Sequence, residues 1–241
     1  MTLTEVPSIL LRRPADLWAE ATLKTDSRRA SLLLFAISMV GFTIYGAVLG
    51  ISNGPIQAIA SAAKLPALFL LTMAISFPVL HVLNLLFGGQ QKASELTLIT
   101  LIALAATATI LVAFAPISLF FLVTGSGYSF YRLLNVAILG IASVIGFRLF
   151  VKGCNGLDKQ KPDAQAPNRK GLLRTWVLLV AFVGCQLSWT MRPFFGSPDL
   201  DFAVFRKQEG NFYQSMGRAV YDVFGGEAVS KGWETAVSYP E

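Results

Sequence analysis

The 241-residue chain has 54% hydrophobic and only 14% charged side chains, where a soluble domain carries about 25% charged residues, so it is too apolar for an ordinary soluble fold. Its formal charge of +6 comes from Lys and Arg clustered between hydrophobic runs, which reads as a set of topology determinants and argues against a nucleic-acid partner. Cys154 and Cys185 lack CxxC spacing, and no disulfide framework is implied.

The first apolar run begins at Leu32, after a stretch that mixes acids and bases. That is too late for a secretory signal, and the first hydrophobic segment is expected to stay in the mature protein. Residues 1–31 form a cytoplasmic segment with a short interfacial helix opened by Arg13-Pro14-Ala15-Asp16, and Trp18 is placed at headgroup level. A solvated helix packed on a partner loop is the competing reading. Residues 32–51 contain no charge and, at about 1.5 Å per residue, reach the ~30 Å of a hydrocarbon core. Gly46 and Gly50 within that span allow another helix to approach closely, either within the chain or in a homodimer.

Asn53-Gly54-Pro55 ends the first span and opens a short segment through Ala63, expected to lie at the interface. The second span, 65–87, holds the chain's one histidine. Pro78 is expected to kink it, and His81 and Asn84 share a face three residues apart. This segment is expected to act as a kinked packing helix on which the Ala/Thr face of the third span rests. Gly88-Gly89-Gln90-Gln91-Lys92 forms a turn into the third span, 96–123. That run exceeds a straight crossing, and tilt, a bend at Pro116, or a split into a span and a re-entrant piece would absorb the excess. The fourth span, 129–151, carries Arg132 and Arg148 near opposite ends, where both can reach headgroups along their stems. A flexible exposed loop, 152–170, leads to the fifth span, 172–191, with Trp176 and Trp189 as interfacial anchors.

Residues 192–241 are polar again but aromatic-rich, with Phe194, Phe195, Phe202 and Phe205 among turn residues. Phe212, Met216, Val220 and Phe224 recur at every fourth position, which predicts an amphipathic helix over 211–224. These eight residues are the candidate partner-binding set.

Basic residues are dense in 1–31 and in 148–174, which places both on the cytoplasmic side and residues 192–241 outside it. Five spans satisfy both assignments. The fold class is therefore all-α, a polytopic five-helix membrane bundle with short interfacial and C-terminal amphipathic helices, in a plasma or inner membrane.

The sequence contains no P-loop, GxSxG or HExxH, no acid in the middle of a span, and too few His and Cys for a metal cluster. No catalytic group, metal or cofactor is expected. His81 and Asn84 read first as partners of an interhelical hydrogen bond. The middle of the chain, with KLPALFLLT, LNLLFGGQQKAS, the Ala/Thr-rich span with AFAPI, and GYSFYRLLNVAILGI in that order, resembles the Yip1-type family of five-span membrane proteins over about 65–151. The resemblance implies a cytoplasmic N-terminus and a non-enzymatic role in membrane organisation or trafficking. The leading expectation is a scaffold or accessory subunit that engages other membrane or extracytoplasmic proteins in addition to the bilayer. The alternative is a small transporter or transporter subunit with a polar path near His81, Asn84, Asn135 and Gln186.

Overall fold

The computed structural model describes residues 27–86, 91–125, 127–160 and 169–194, together with 217, 220 and 221. Five helices account for nearly all of them: α1 (Ser27–Ile51), α2 (Pro55–Leu86), α3 (Ala93–Val123), α4 (Tyr128–Gln160) and α5 (Arg169–Thr190). All five are long and apolar enough to cross a membrane, and the described residues contain no strand. The protein is a helical membrane bundle. The interfacial helix around Trp18, the turn at 88–90, and Phe195, Phe202, Phe205, Phe212, Met216 and Phe224 lie outside the described residues.

Successive helices run antiparallel, which gives the bundle two ends. The α1–α2 and α3–α4 turns and the exit of α5 form the upper end, and the α2–α3 connection lies at the lower end. The α1–α2 turn closes on Gly54, whose φ of +95° suits glycine, and the amides of Asn53 and Gly54 donate to the carbonyls of Gly50 and Ile51. Pro55 then occupies the first turn of α2, where its missing N–H is not needed. At the lower end, Glu95 Oε2 accepts the Lys92 amide at 3.0 Å, and the acid lies at the positive end of the α3 dipole.

Two boundaries differ from the sequence expectation, and one alternative it left open is closed. Residues 55–63 do not form a separate interfacial helix; they are the first two turns and more of α2, with their backbone packed on Gly46 and Gly50 of α1 and the Gln57 and Ser61 side chains buried. The run with Pro116 is one continuous helix, with no re-entrant piece, so apart from the one bond that an interior proline removes its backbone stays helically paired, as the apolar layer requires. Finally, α4 continues to Gln160, which takes in half of the expected loop. Cys154 and Leu157 bury there against α5.

The closest helix pairs are α1 with α2, α1 with α3, α3 with α4, and α2 with α5. Small residues set these approaches. Gly41 lies against Ala108, Gly46 against the Ser61 backbone, Gly50 against the Gln57 carbonyl and the Ala58 Cα, and Gly146 against Thr107. Between bilayer-spanning helices there is little hydrophobic drive, and close backbone approach supplies the van der Waals contact instead. The Ala/Thr face of α3 therefore rests on α1 and α4, not on α2 as expected. Hydroxyls on these faces bond back to their own helix, as Thr100 does to Leu96 O at 2.8 Å and Thr107 to Ala103 O at 2.9 Å, so none of them presents an unpaired donor to the apolar interior.

Candidate functional site

Polar side chains of the bundle gather in two places at its upper end. The first joins three helices. Tyr45 of α1 donates its hydroxyl to Asn135 Oδ1 of α4 at 2.8 Å, and Ser118 of α3 donates to the same oxygen at 2.7 Å. Asn135 Nδ2 turns back to the Tyr131 carbonyl at 2.9 Å, while the Tyr131 hydroxyl reaches Val48 O at 3.0 Å. All four side chains are buried. The α3–α4 turn positions Asn135 two turns into α4, level with Ser118 on α3. An amide oxygen that accepts two hydroxyls while its NH2 is held by its own helix is saturated, and the arrangement rigidifies the contact of three helices.

The second group clasps the chain as it leaves α5. Gln57, Ser61 and Lys64 lie on one face of α2, at spacings of four and three, and all three are buried. Lys64 Nζ and Gln57 Nε2 each donate to the Pro193 carbonyl at 3.0 Å, and Ser61 Oγ donates to the Phe194 carbonyl at 2.5 Å. The Phe194 ring is buried in the main apolar cluster beside Leu65 and Leu68, and Lys64 Nζ stands 6.0 Å from its centroid. The glycines of α1 make this possible. With Gly46 and Gly50 against the backbone of α2 at Ser61 and Gln57, the three polar side chains point away from α1 and toward α5.

The physical need for the clasp follows from depth. Helix α5 ends at Thr190, and Pro193 meets Lys64, nine residues inside α2, about 13 Å below its upper tip. The first carbonyls past α5 are no longer helical and lie within the bundle. Non-helical backbone at such a depth is tolerated only where protein satisfies it, and Gln57, Ser61 and Lys64 do so. None of the three is among the sequence candidates: Gln57 and Ser61 lie in the segment expected at the interface, and Lys64 directly precedes the second span. The signal was present in the spacing 57, 61, 64 of polar residues on an otherwise apolar helix.

Other sequence candidates fall elsewhere. Gly46 and Gly50 are packing residues within the chain, and both are used in the α1–α2 contact. Pro78 is exposed on α2. Asn84 is buried near the lower end and donates to the Gln91 carbonyl at 3.4 Å, while His81 is half-buried with Nδ1 unpaired among the described residues. The two share a face, as expected, but are not bonded across helices to each other's neighbours. Asn84 pairs beside the start of α3, whereas Asn135 pairs with Ser118, 25 residues further along that helix and about 38 Å away. Gln186 is exposed on α5. His81, Asn84, Asn135 and Gln186 are thus not brought together.

Arg132 is half-buried near the start of α4 and Arg148 is exposed, but because α4 continues to Gln160, Arg148 lies within the helix and not, as expected, at its end. Trp189 is half-buried, with the Arg192 guanidinium 3.4 Å from its ring centroid, a cation–π contact at the end of α5. Trp176 departs from its expected place at the lipid surface. It is buried in the bundle, donates Nε1 to the Ser76 carbonyl at 2.8 Å, and packs on Phe150 with centroids 4.5 Å apart. Of the partner-binding set, Phe194 is committed to the protein's own core, and Val220 is helical and exposed. The described residues contain no group of three or more His, Cys, Asp or Glu able to hold a metal ion. No family model, curated protein or solved structure matches the chain, so what it does rests on its own residues.

Proposed function

We propose that this membrane protein is a non-enzymatic scaffold or accessory subunit whose C-terminal segment, residues 195–241, engages a partner outside the cytoplasm. The observation that supports this reading is the clasp. Three buried polar side chains of α2 fix the two carbonyls from which the segment departs, so the segment leaves the bundle from one defined point. The other buried polar cluster, around Asn135, is bonded among its own helices, with the Asn135 oxygen occupied by two hydroxyls. The basic residues at the lower end, Arg28, Arg29, Lys92, Arg148, Lys152 and Arg174, favour a cytoplasmic lower face and N-terminus, in a plasma or inner membrane. The Yip1-like order of residues over 65–151 is compatible with the same role in membrane organisation.

The test is a truncation that ends at Phe194, which keeps the clasp and removes the segment. Both chains are crosslinked in native membranes and purified, and their partners are compared. Loss of a specific partner, with insertion and thermal stability intact, is the expected result; an unchanged partner set overturns the proposal. A C-terminal alkaline phosphatase fusion reports orientation independently, and its inactivity overturns the assignment of the segment to the outside.

A further inference from the structure

Among the five helices α5 is the least enclosed by its neighbours, with 22% of its most apolar window buried against 67% for α3. One side of it packs on α2, through Trp176 and through Gly184 beside Thr72. The opposite side is a continuous exposed line, Leu178, Phe182 and Gln186, at four-residue spacing, with Leu178 71% and Phe182 59% exposed. The outward face of α4 is also exposed, but between Arg132 and Arg148 its exposed members Ala137, Gly140, Ile141 and Val144 are wholly apolar, and lipid chains suffice to cover it.

Gln186 makes the α5 face different. Its carboxamide is exposed and forms no hydrogen bond among the described residues, while the buried amides Gln57, Asn84 and Asn135 each donate at least one, although Gln57 Oε1 is left without a partner. Its depth is greater than its place near the end of α5 suggests. It lies about 6 Å below Thr190, and the α5 exit is itself clasped at Lys64, below the upper tip of α2. An unpaired amide facing hydrocarbon is costly, and membrane helices place such groups against protein.

The geometry points to a second copy of this chain as the occupant of that face, in a two-fold dimer with α5 against α5. A carboxamide carries both donor and acceptor and is complementary to itself. Two chains inserted with the same topology present parallel α5 helices, so a two-fold axis along the membrane normal brings residue 186 of one to residue 186 of the other. Each amide then donates to and accepts from its counterpart. Phe182 and Leu178 meet their own copies one and two turns below. The arrangement sets the two clasped exits, and hence the two C-terminal segments, side by side.

The experiment uses purified full-length chain in lipid vesicles, with energy transfer between labelled copies followed as lipid is added. The wild type is expected to follow a monomer–dimer isotherm, and Gln186→Leu to move its midpoint to an about fivefold higher protein-to-lipid ratio, the loss of one interhelical amide pair. Gln186→Asn, which keeps the amide, is expected to recover part of the shift. In a Cys154→Ser, Cys185→Ser background, Leu178→Cys is expected to crosslink between copies with a short bismaleimide, and Val144→Cys on α4 is not. Wild-type protein that stays monomeric at every ratio, a Gln186→Leu midpoint equal to wild type, or crosslinking at 144 as efficient as at 178 overturns the dimer. Because no partner is present, failure here leaves the partner-binding reading of residues 195–241 untouched.

Discussion

The two ends of the bundle are held by different means. At the upper end, hydrogen bonds cross between helices: Tyr45 and Ser118 to Asn135, Tyr131 to Val48, and the α2 clasp to Pro193 and Phe194. At the lower end the contact is mostly apolar volume, with Leu80, Leu96, Ile99, Phe150, Leu172, Leu173, Trp176 and Val180 forming one cluster. The difference follows the separation of the helices. Glycines bring α1 against α2 near the top, while the hydrogen bonds there run from α1 and α3 to α4 and from α2 to the chain leaving α5. Below, α4 and α5 are not among the closest pairs, and large rings fill the space between them. A close contact is broken by added volume and a filled gap by removed volume, and the two ends should respond oppositely to mutation.

The largest effect is expected from Trp176→Ala. It removes the ring packed on Phe150 and the Nε1 bond to the Ser76 carbonyl, and leaves a cavity between α2, α4 and α5. A loss of about 3–5 kcal/mol is expected, read by thermal or denaturant unfolding in bicelles; Trp176→Phe should recover part of it. A loss below 1 kcal/mol would mean that the lower end tolerates missing volume. Next comes Gly50→Val at the upper end. A Cβ there falls on the Gln57 carbonyl and 2.6 Å from the Ala58 Cα, both backbone, so the helices must part at a cost of about 1–3 kcal/mol or more. Gly140→Val, on a face with nothing within 4 Å of the new Cβ, supplies the control and should be close to neutral. If both variants melt alike, close approach does not hold the upper end.

This asymmetry also explains what was legible in the sequence. Uninterrupted apolar runs identified the five helices, and Gly46-x-x-x-Gly50 marked a close contact, because chain length and the absence of a side chain leave direct traces. Which helix meets which left no such trace. In a bilayer the outward faces of α2, α3 and α4 are as apolar as their inward faces, and the periodicity that orients a soluble helix vanishes. The Ala/Thr face of α3 could be recognised as protein-facing, but not that α1 and α4 cover it. For the same reason Trp176 was read as an anchor: its position near a helix end is the same whether the ring turns to lipid or to Phe150. The clasp was missed for another reason. Small residues around Gln57 and Ser61 suggested an interfacial segment, and only the antiparallel α1 backbone shows that smallness there serves close packing.

Within the upper end the two polar groups should differ in turn. Lys64→Met removes one of two donors to the Pro193 carbonyl and leaves Gln57 in place, so global stability should fall by only about 0.5–1.5 kcal/mol. The exit should loosen more than the fold does, with a cysteine placed at Phe194 labelled faster by a polar maleimide in the Lys64→Met background than in its absence. Equal labelling rates would show that Gln57 and Ser61 hold the exit alone. The smallest effect belongs to the Tyr45–Asn135 pair. Tyr45→Phe removes one of two hydroxyls from an oxygen that keeps Ser118 at 2.7 Å, so no buried acceptor is left bare. A double-mutant cycle of Tyr45→Phe with Asn135→Ala should return a coupling near 0.6 kcal/mol, the size usual for hydrogen bonds between membrane helices. Coupling well above that would mean that the shared oxygen makes the three-helix contact cooperative, and the upper end would then owe its rigidity to this node and not to the glycine contacts.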